Sequence, residues 1–371
     1  MFWVVRPILF LMFSRLPFAF LFLFVAVFGT VFSLSSSHWL GIWAGLEINL
    51  IGFLPVLLYQ KRTSERESAV KYFIVQALGS GLLIFGSLLT CSTSFTWDPS
   101  LLPSSGAVVI VLTGLLTKIG IFPFHFWLPR VMAGLPWLSC IILATWQKVA
   151  PLFLTSALIS VTDLCTLVLS LCLLAAGSSL VGGFGGINQT QIRSILAYSS
   201  IGHLGWIVFA ACHSSWAMKT YFLIYLLVSF TIFLRVWALN TPNSKTLTSL
   251  ATQPKSSTLS VIVMLLSLAG LPPLLGFISK WVVLLVSANR GLYPLLGLLV
   301  VGSVIRLFYY LSLYFSIFLG RQKSLSLLVS RENRLSYTVS AGLVLNVLAG
   351  LCIIFLNLAK GVYALIIFDK P

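Results

Sequence analysis

The residues able to do chemistry in this chain are ionisable groups placed where charge is costly. Glu47, Lys118, Lys148, Lys280 and Arg306 each lie within a long apolar run. At mid-bilayer such a group costs roughly 2.5–3.5 kcal/mol on insertion scales, so charges kept there serve a path, a pairing or a relay. Snorkelling to a surface is the plainer reading. Counting helical rise from Gly106, however, Lys118 lies about 18 Å into an apolar core of about 30 Å, too deep to reach either face easily. Lys148, counted from Pro136, lies equally deep. Lysine suits proton transfer because desolvation favours its neutral amine while a nearby carboxylate favours its ammonium. A Glu–Lys pair that forms and breaks switches the lysine between holding and releasing a proton. Glu47 reads as the only acid buried within a span and can supply that switch. Arg306 carries a fixed charge and reads as a pairing or snorkelling residue. His203 sits mid-span among hydroxyls, and His125 follows Pro123. Either can relay protons or simply be hydrogen-bonded. His38 and His213 fall at span ends and read as interfacial.

The elements that must position these groups are membrane helices. The chain is 59% hydrophobic and 8% charged, with a mean hydropathy of +1.05. A soluble domain cannot hide that much apolar surface; lipid can. The alternation that a β-barrel needs is missing. A window of about 19 residues predicts an all-α polytopic membrane protein of about 11 transmembrane helices. They fall near 16–34, 39–59, 70–90, 106–127, 136–158, 163–186, 192–212, 219–239, 258–287, 292–319 and 336–358. Arg6 and Arg15 precede the first apolar run as in a signal peptide. That run is long and no convincing cleavage site follows, so it reads as a retained anchor.

The net charge of +16 would suggest nucleic acid in a soluble protein. Here the cations sit between apolar runs, where they record orientation, and nucleic-acid binding is set aside. If the N-terminus lies on side X, that side gathers Arg6, Arg15, Lys61, Arg62, Arg66, Lys71, Arg130, Arg193, Arg235, Lys245, Lys255, Arg321, Lys323, Arg331 and Arg334. Side Y keeps Lys219, Arg290, Lys360 and Lys370. Side X is then the cytoplasm or the matrix.

Two spans are interrupted. One reads Leu116-Thr-Lys-Ile-Gly-Ile-Phe-Pro-Phe-His-Phe-Trp127, the other Leu268-Ala-Gly-Leu-Pro-Pro-Leu-Leu-Gly-Phe-Ile-Ser-Lys-Trp281. Each sets Gly and Pro inside an apolar run near a lysine. Carbonyls freed there must face protein or a water-filled cavity. Paired broken helices in two halves of a chain point to a transport path, and the reversed order of lysine and break suggests an inverted repeat. The run Gly182-Gly-Phe-Gly-Gly186 lacks the strand of a nucleotide loop and reads as close helix packing. The six cysteines, Cys91, Cys140, Cys165, Cys172, Cys212 and Cys352, form no CxxC pair or ligand cluster and read as small apolar fillers. No iron–sulfur, flavin, nicotinamide or metal site is expected in this chain.

Six segments carry a family resemblance: Trp43-Ala-Gly-Leu-Glu-Ile-Asn49, Glu67-Ser-Ala-Val-Lys-Tyr-Phe73, Gly120-Ile-Phe-Pro-Phe-His-Phe-Trp127, Thr145-Trp-Gln-Lys-Val-Ala-Pro151, Ile195-Leu-Ala-Tyr-Ser-Ser-Ile-Gly-His203 and Pro272-Pro-Leu-Leu-Gly-Phe-Ile-Ser-Lys-Trp281. In order, over roughly residues 35–285, they resemble the subunit 2 family among the antiporter-like subunits of mitochondrial NADH:ubiquinone oxidoreductase, respiratory complex I. The resemblance implies a proton-pumping subunit of the membrane arm, with two inverted five-helix repeats and a broken helix in each. It carries a charged axis onto Glu47, Lys118, Lys148 and Lys280. It also implies a mitochondrial inner-membrane location with a matrix-side N-terminus, which agrees with the cation distribution. Other membrane-arm subunits and membrane lipid are the implied partners, and NADH, FMN, iron–sulfur clusters and ubiquinone are implied in partner subunits. Bacterial relatives carry three more N-terminal helices, so the chain looks like the shortened animal mitochondrial form.

The expected division is an N-terminal extension over 1–15, a first repeat over 16–158, a second over 159–319, and a loop with a C-terminal transmembrane helix over 320–371. A standalone sodium/proton antiporter is the rival reading, and it would want mid-membrane acids rather than lysines. A purely structural membrane subunit would not need the buried charges.

Overall fold

The computed structural model describes residues 18–58, 63–98, 105–161, 165–238, 255–272, 274–288, 291–320, 342–344, 346–348 and 350–351. These residues are helical nearly throughout. The helices are α1 (Ala19–Ser35), α2 (Trp39–Leu57), α3 (Thr63–Ser94), α4 (Ser105–Ile119), α5 (Trp127–Gly134), α6 (Trp137–Ala144), α7 (Val149–Val161), α8 (Cys165–Ile187), α9 (Ile192–His213), α10 (Ser215–Ala238), α11 (Lys255–Ala269), α12 (Leu275–Ala288) and α13 (Tyr293–Gly320). The expected extension over 1–15 lies outside the described residues. So does most of the 320–371 unit.

Among the described residues, seven stretches are long and apolar enough to cross a membrane: Trp39–Leu57, Thr63–Ser92, Trp137–Val161, Cys165–Ile187, Ile192–His213, Ser215–Trp237 and Tyr293–Ser316. The chain is a multi-pass membrane protein. Three other expected spans fall on shorter helices, on α1, on α4 and the turn behind it, and on the α11–α12 pair, and the last, 336–358, lies largely outside the described residues. A hydropathy window reads through a backbone break, whereas a helix ends at it.

Burial orders the bundle around α9. In that helix 94% of the span is buried, against 33% for α13. α9 packs on α8, α10, α5, α7, α12 and α13. Small residues let the helices approach this closely. On the α1–α2 pair, a Cβ at Gly45 would lie 2.6 Å from the Ser33 nitrogen, and one at Gly52 would lie 2.6 Å from the Ala26 nitrogen. The helix that carries Glu47 is thereby clamped to α1 backbone to backbone.

α3 begins at Thr63, earlier than the expected 70, and takes Glu65 and Glu67 into helix. Glu65 is 1% exposed, whereas Glu47 is only half-buried. Glu47 is therefore not the only acid buried within a span. The sequence reading missed Glu65 because the charged stretch around it lowers the hydropathy average below that of a span.

Candidate functional site

The two interrupted helices end alike. α4 closes after Ile119 with Gly120 at φ +83°, and α11 closes after Ala269 with Gly270 at φ +83°. At the first, Gly120 and Ile121 both donate to the Leu116 carbonyl, at 2.9 and 3.3 Å. At the second, Gly270 and Leu271 both donate to the Leu266 carbonyl, at 3.1 and 3.3 Å. This is the Schellman closure, and its left-handed residue is why a glycine stands at each end.

The carbonyls released at these ends find side-chain donors. Trp127 Nε1 donates to the Thr117 carbonyl at 3.1 Å, and Gln76 Nε2 to the Lys118 carbonyl at 3.4 Å. Lys280 Nζ donates to the Ala269 carbonyl. Lys280 thus reaches back from α12 to the end of α11 and lies over Gly270, where a Cβ would stand 2.6 Å from Nζ.

A third interruption carries Lys148. α6 ends at Ala144, Thr145 turns aside, and Trp146–Lys148 form one 3-10 turn before α7 starts at Val149. Pro151 explains the restart. It has no N–H for a helix interior, but it is tolerated in a first turn, where the donor would be unpaired anyway. The sequence reading took 136–158 as one unbroken span. The break turns Lys148 inward, where it is 2% exposed.

Two apolar cores meet within the bundle, and several ionisable residues fall in sequence where the chain passes from one core to the other, which marks a seam. One core takes Phe53 to Leu57 of α2, Trp137 to Ala144, Ile192 to Ile201, Val228 to Val236, Val261 to Ala269, and Tyr309 to Leu313. The other takes Trp39 to Leu46, Ala150 to Leu158, Leu204 to Cys212, Ala217 to Tyr225, Val283, and Leu295 to Leu299. Helix by helix, the residues between them are Glu47, Lys148, His203, Lys280 and Arg306. Lys118 is the exception, set among residues of the second core beside the α4 break. Apolar packing on both sides keeps bulk water from the seam, which strengthens every electrostatic interaction within it.

The expected residues form two groups. Glu47 is the carboxylate within electrostatic reach of Lys118, and the two do not close to an ion pair. Lys148 Nζ lies 3.5 Å from the Tyr225 hydroxyl and 5.5 Å from its ring centroid. The Tyr225 ring is 5.4 Å from that of His203, and His203 Nδ1 is 3.0 Å from the Tyr221 hydroxyl. Lys148, Lys280 and Arg306 all lie within electrostatic reach of His203. A cavity lined by His203, Tyr221, Tyr225, Ser267 and Ser279, among others, has room for about one water molecule. Lysine, tyrosine hydroxyl, histidine and water can pass a proton in turn without redox chemistry. His125 joins neither group. It is 5% exposed, packed between Phe122 and Phe126.

The structure adds residues that the sequence reading passed over. Asn49 Nδ2 donates to Gln147 Oε1 at 2.8 Å, and Gln147 Nε2 returns a bond to Asn49 Oδ1 at 3.0 Å. The Tyr72 hydroxyl reaches the same Gln147 oxygen at 3.4 Å. This amide pair ties the Glu47 helix to the turn that carries Lys148. Tyr221 and Tyr225, four residues apart, share one face of α10. Polar side chains at helical spacing in an apolar run were the available signal, and none carries the charge that drew attention elsewhere. His213 ends α9, buried, with Nδ1 2.9 Å from the Phe209 carbonyl. Arg306 is 1% exposed, with Nε donating to the Gly302 carbonyl at 3.4 Å, and among the described residues it pairs with no acid. The Gly182–Gly186 run does pack α8 against α9 and α13.

Comparison with known proteins adds kinship to this geometry. The membrane-helix family described as NADH:quinone oxidoreductase/Mrp antiporter matches residues 36–306. NADH-ubiquinone oxidoreductase chain 2 of Anopheles gambiae is 38% identical, covering 86% of this chain and 92% of that one. Its counterpart from Latimeria chalumnae is 39% identical, covering 76% and 80%. A chain of respiratory complex I from Thermus thermophilus, solved with bound aureothin, superposes with a TM-score of 0.77 at 27% identity, covering 90% of this chain and 78% of that one.

Proposed function

The chain belongs to the NADH:quinone oxidoreductase/Mrp antiporter family, and from that premise we propose that it is a core membrane-arm subunit of the H+-translocating NADH:ubiquinone reductase, respiratory complex I. It takes part in proton translocation coupled to electron transfer from NADH to ubiquinone. NADH, FMN, iron–sulfur clusters and ubiquinone are bound by partner subunits. Its place is the mitochondrial inner membrane, among other membrane-arm subunits and lipid. The gathering of cations on side X supports a matrix-side N-terminus.

The observation that carries the reading is the proximity of Lys148 to the Tyr225 hydroxyl and of the Tyr225 ring to His203, with Lys280 within electrostatic reach. A proton leaving Lys148 moves onto the Tyr225 oxygen as that hydroxyl turns from the Ala144 carbonyl and gives its own proton to the His203 ring 5.4 Å away. His203 stands next, within electrostatic reach of Lys280. Glu47 and Lys118 form the other centre, where approach of the carboxylate favours the ammonium and separation favours release. His203 is a relay, and His125 a further candidate beside the first break. The matched closures at Gly120 and Gly270 support two inverted repeats, over 16–158 and 159–319, within about eleven crossings flanked by 1–15 and 320–371.

A standalone sodium/proton antiporter needs carboxylates at its ion site, and the seam offers lysines in their place. Blue-native electrophoresis of the source membranes, with in-gel NADH oxidation, tests the assignment. Co-migration with the active high-mass band is expected. Migration as a free monomer would overturn it.

A further inference from the structure

Several buried polar groups crowd one place between α8, α9 and α13 without protein partners. Arg306 is 1% exposed, yet neither Nη1 nor Nη2 has a hydrogen-bond partner. The hydroxyls of Tyr309 and Tyr310, one turn further along α13, lie near each other and near Ser199, and the His203 ring lies near the Leu268 backbone, yet neither hydroxyl nor Nε2 closes a well-formed hydrogen bond. Buried polar groups are nearly always satisfied, so a set of orphans this close together points to water held inside the protein. The chain makes room for the guanidinium: a Cβ at Gly202 would lie 2.9 Å from both Nε and Nη1. That glycine directly precedes His203. Arg306 also lies within electrostatic reach of Lys280.

The hydroxyl groups continue away from the seam. Glycines of α8 leave the space that tyrosine rings occupy. A Cβ at Gly186 would meet the Tyr309 ring at 2.7 Å, and one at Gly185 would run into the ring of Tyr198. The rings of Tyr309 and Tyr310 are 4.7 Å apart. Tyr309 and Tyr198 thus lie against the last turn of α8, next to the α8–α9 turn that the cation distribution assigns to side X. A hydrated column of this kind, left open, would let protons run back from His203 to side X.

We infer that Arg306 is the electrostatic barrier across that column. A fixed cation in a hydrated constriction admits water but repels an excess proton, and guanidinium cannot pass a proton on by releasing its own. Arg306 is thus a positioning residue that holds water and charge at the edge of the path without carrying protons. The inference rests on the translocation reading above.

The test is passive proton flux into liposomes containing the intact complex, followed with an internal pH dye alongside NADH oxidation. Arg306→Gln is expected to leave NADH oxidation running while passive flux rises severalfold and the proton-to-electron ratio falls. Adding Tyr309→Phe and Tyr310→Phe to that variant removes the hydroxyls and is expected to restore tightness. Arg306→Lys is expected to be leakier in alkaline than in neutral buffer, because lysine but not arginine loses its charge as pH rises; a merely loosened site would leak equally at both. An Arg306→Gln complex as tight as the native one overturns the inference. If that variant fails to assemble, Arg306→Lys decides, and equal tightness at both pH values overturns it. Full pumping after Lys280→Met would instead sink the translocation reading, with passive flux still judging the barrier.

Discussion

Nδ1 of His203 and the hydroxyl of Tyr221 lie 3.0 Å apart, which leaves Nε2 as the ring nitrogen free to meet water. A histidine fixed through one nitrogen can relay through the other. His203→Gln is expected to lower NADH-driven proton uptake about tenfold or more, within the usual range for a positioned acid–base group. Tyr221→Phe, which frees the ring but keeps it, is expected to have a smaller effect. Both complexes should assemble on native gels. Unchanged proton uptake with His203→Gln would take the residue out of the path.

Glu47 acts on Lys118 across a gap rather than through a closed ion pair. Glu47→Gln keeps the shape and removes the charge. Impaired pumping with near-normal assembly is the expected outcome, measured as proton uptake per NADH oxidised beside the amount of intact complex. Normal pumping would remove Glu47 from the mechanism.

The Asn49–Gln147 pair is expected to matter for stability more than for protonation. Truncating either residue strands a part-buried amide, at a cost of about 1–3 kcal/mol. Asn49→Ala and Gln147→Ala should each lower the thermal midpoint of the complex. The double variant should lose less than the two losses added, because the second truncation removes the group that the first left unpaired. Strict additivity would mean that the pair contributes nothing as a pair.

Much of this site was legible because charge in an apolar run is easy to see. Glu47, Lys118, Lys148 and Lys280 stood out by residue type alone, and so did the Gly-Pro breaks beside two of them. The neutral partners were not legible. Tyr225 serves Lys148 from another helix, and nothing local to either residue records the meeting. The turn at Trp146–Lys148 escaped because Pro151 reads equally well as a residue in a first turn and as a kink within one span. Glu65 escaped because a hydropathy average cannot tell a buried acid at a helix start from a solvated loop.

Orientation has its own test, and it needs exposed lysines on opposite sides. Lys71, exposed and paired with Glu67, is assigned to side X, and the exposed Lys219 to side Y. In intact mitoplasts an impermeant amine reagent should label Lys219 and spare Lys71 until the membrane is opened. Labelling of Lys71 in sealed mitoplasts would reverse the assignment.

Lys280 offers the sharpest test of the lysine chemistry. Its Nζ donates to the Ala269 carbonyl released by the helix break, so the ammonium is held by a neutral acceptor rather than by a carboxylate. A neutral acceptor fixes the position of the amine but binds its proton less firmly than an ion pair would. Lys280→Met keeps most of the apolar stem, deletes the proton site and should not raise the insertion cost, so assembly should survive. NADH oxidation and proton uptake are expected to fall together in reconstituted vesicles. Lys280→Arg should fail to restore them, because arginine keeps the charge but does not release the proton. It must also fit a larger planar group against Gly270, so assembly has to be measured beside turnover. An arginine variant that assembles and pumps fully would make Lys280 a fixed charge, and the proton would have to pass by another residue of the seam.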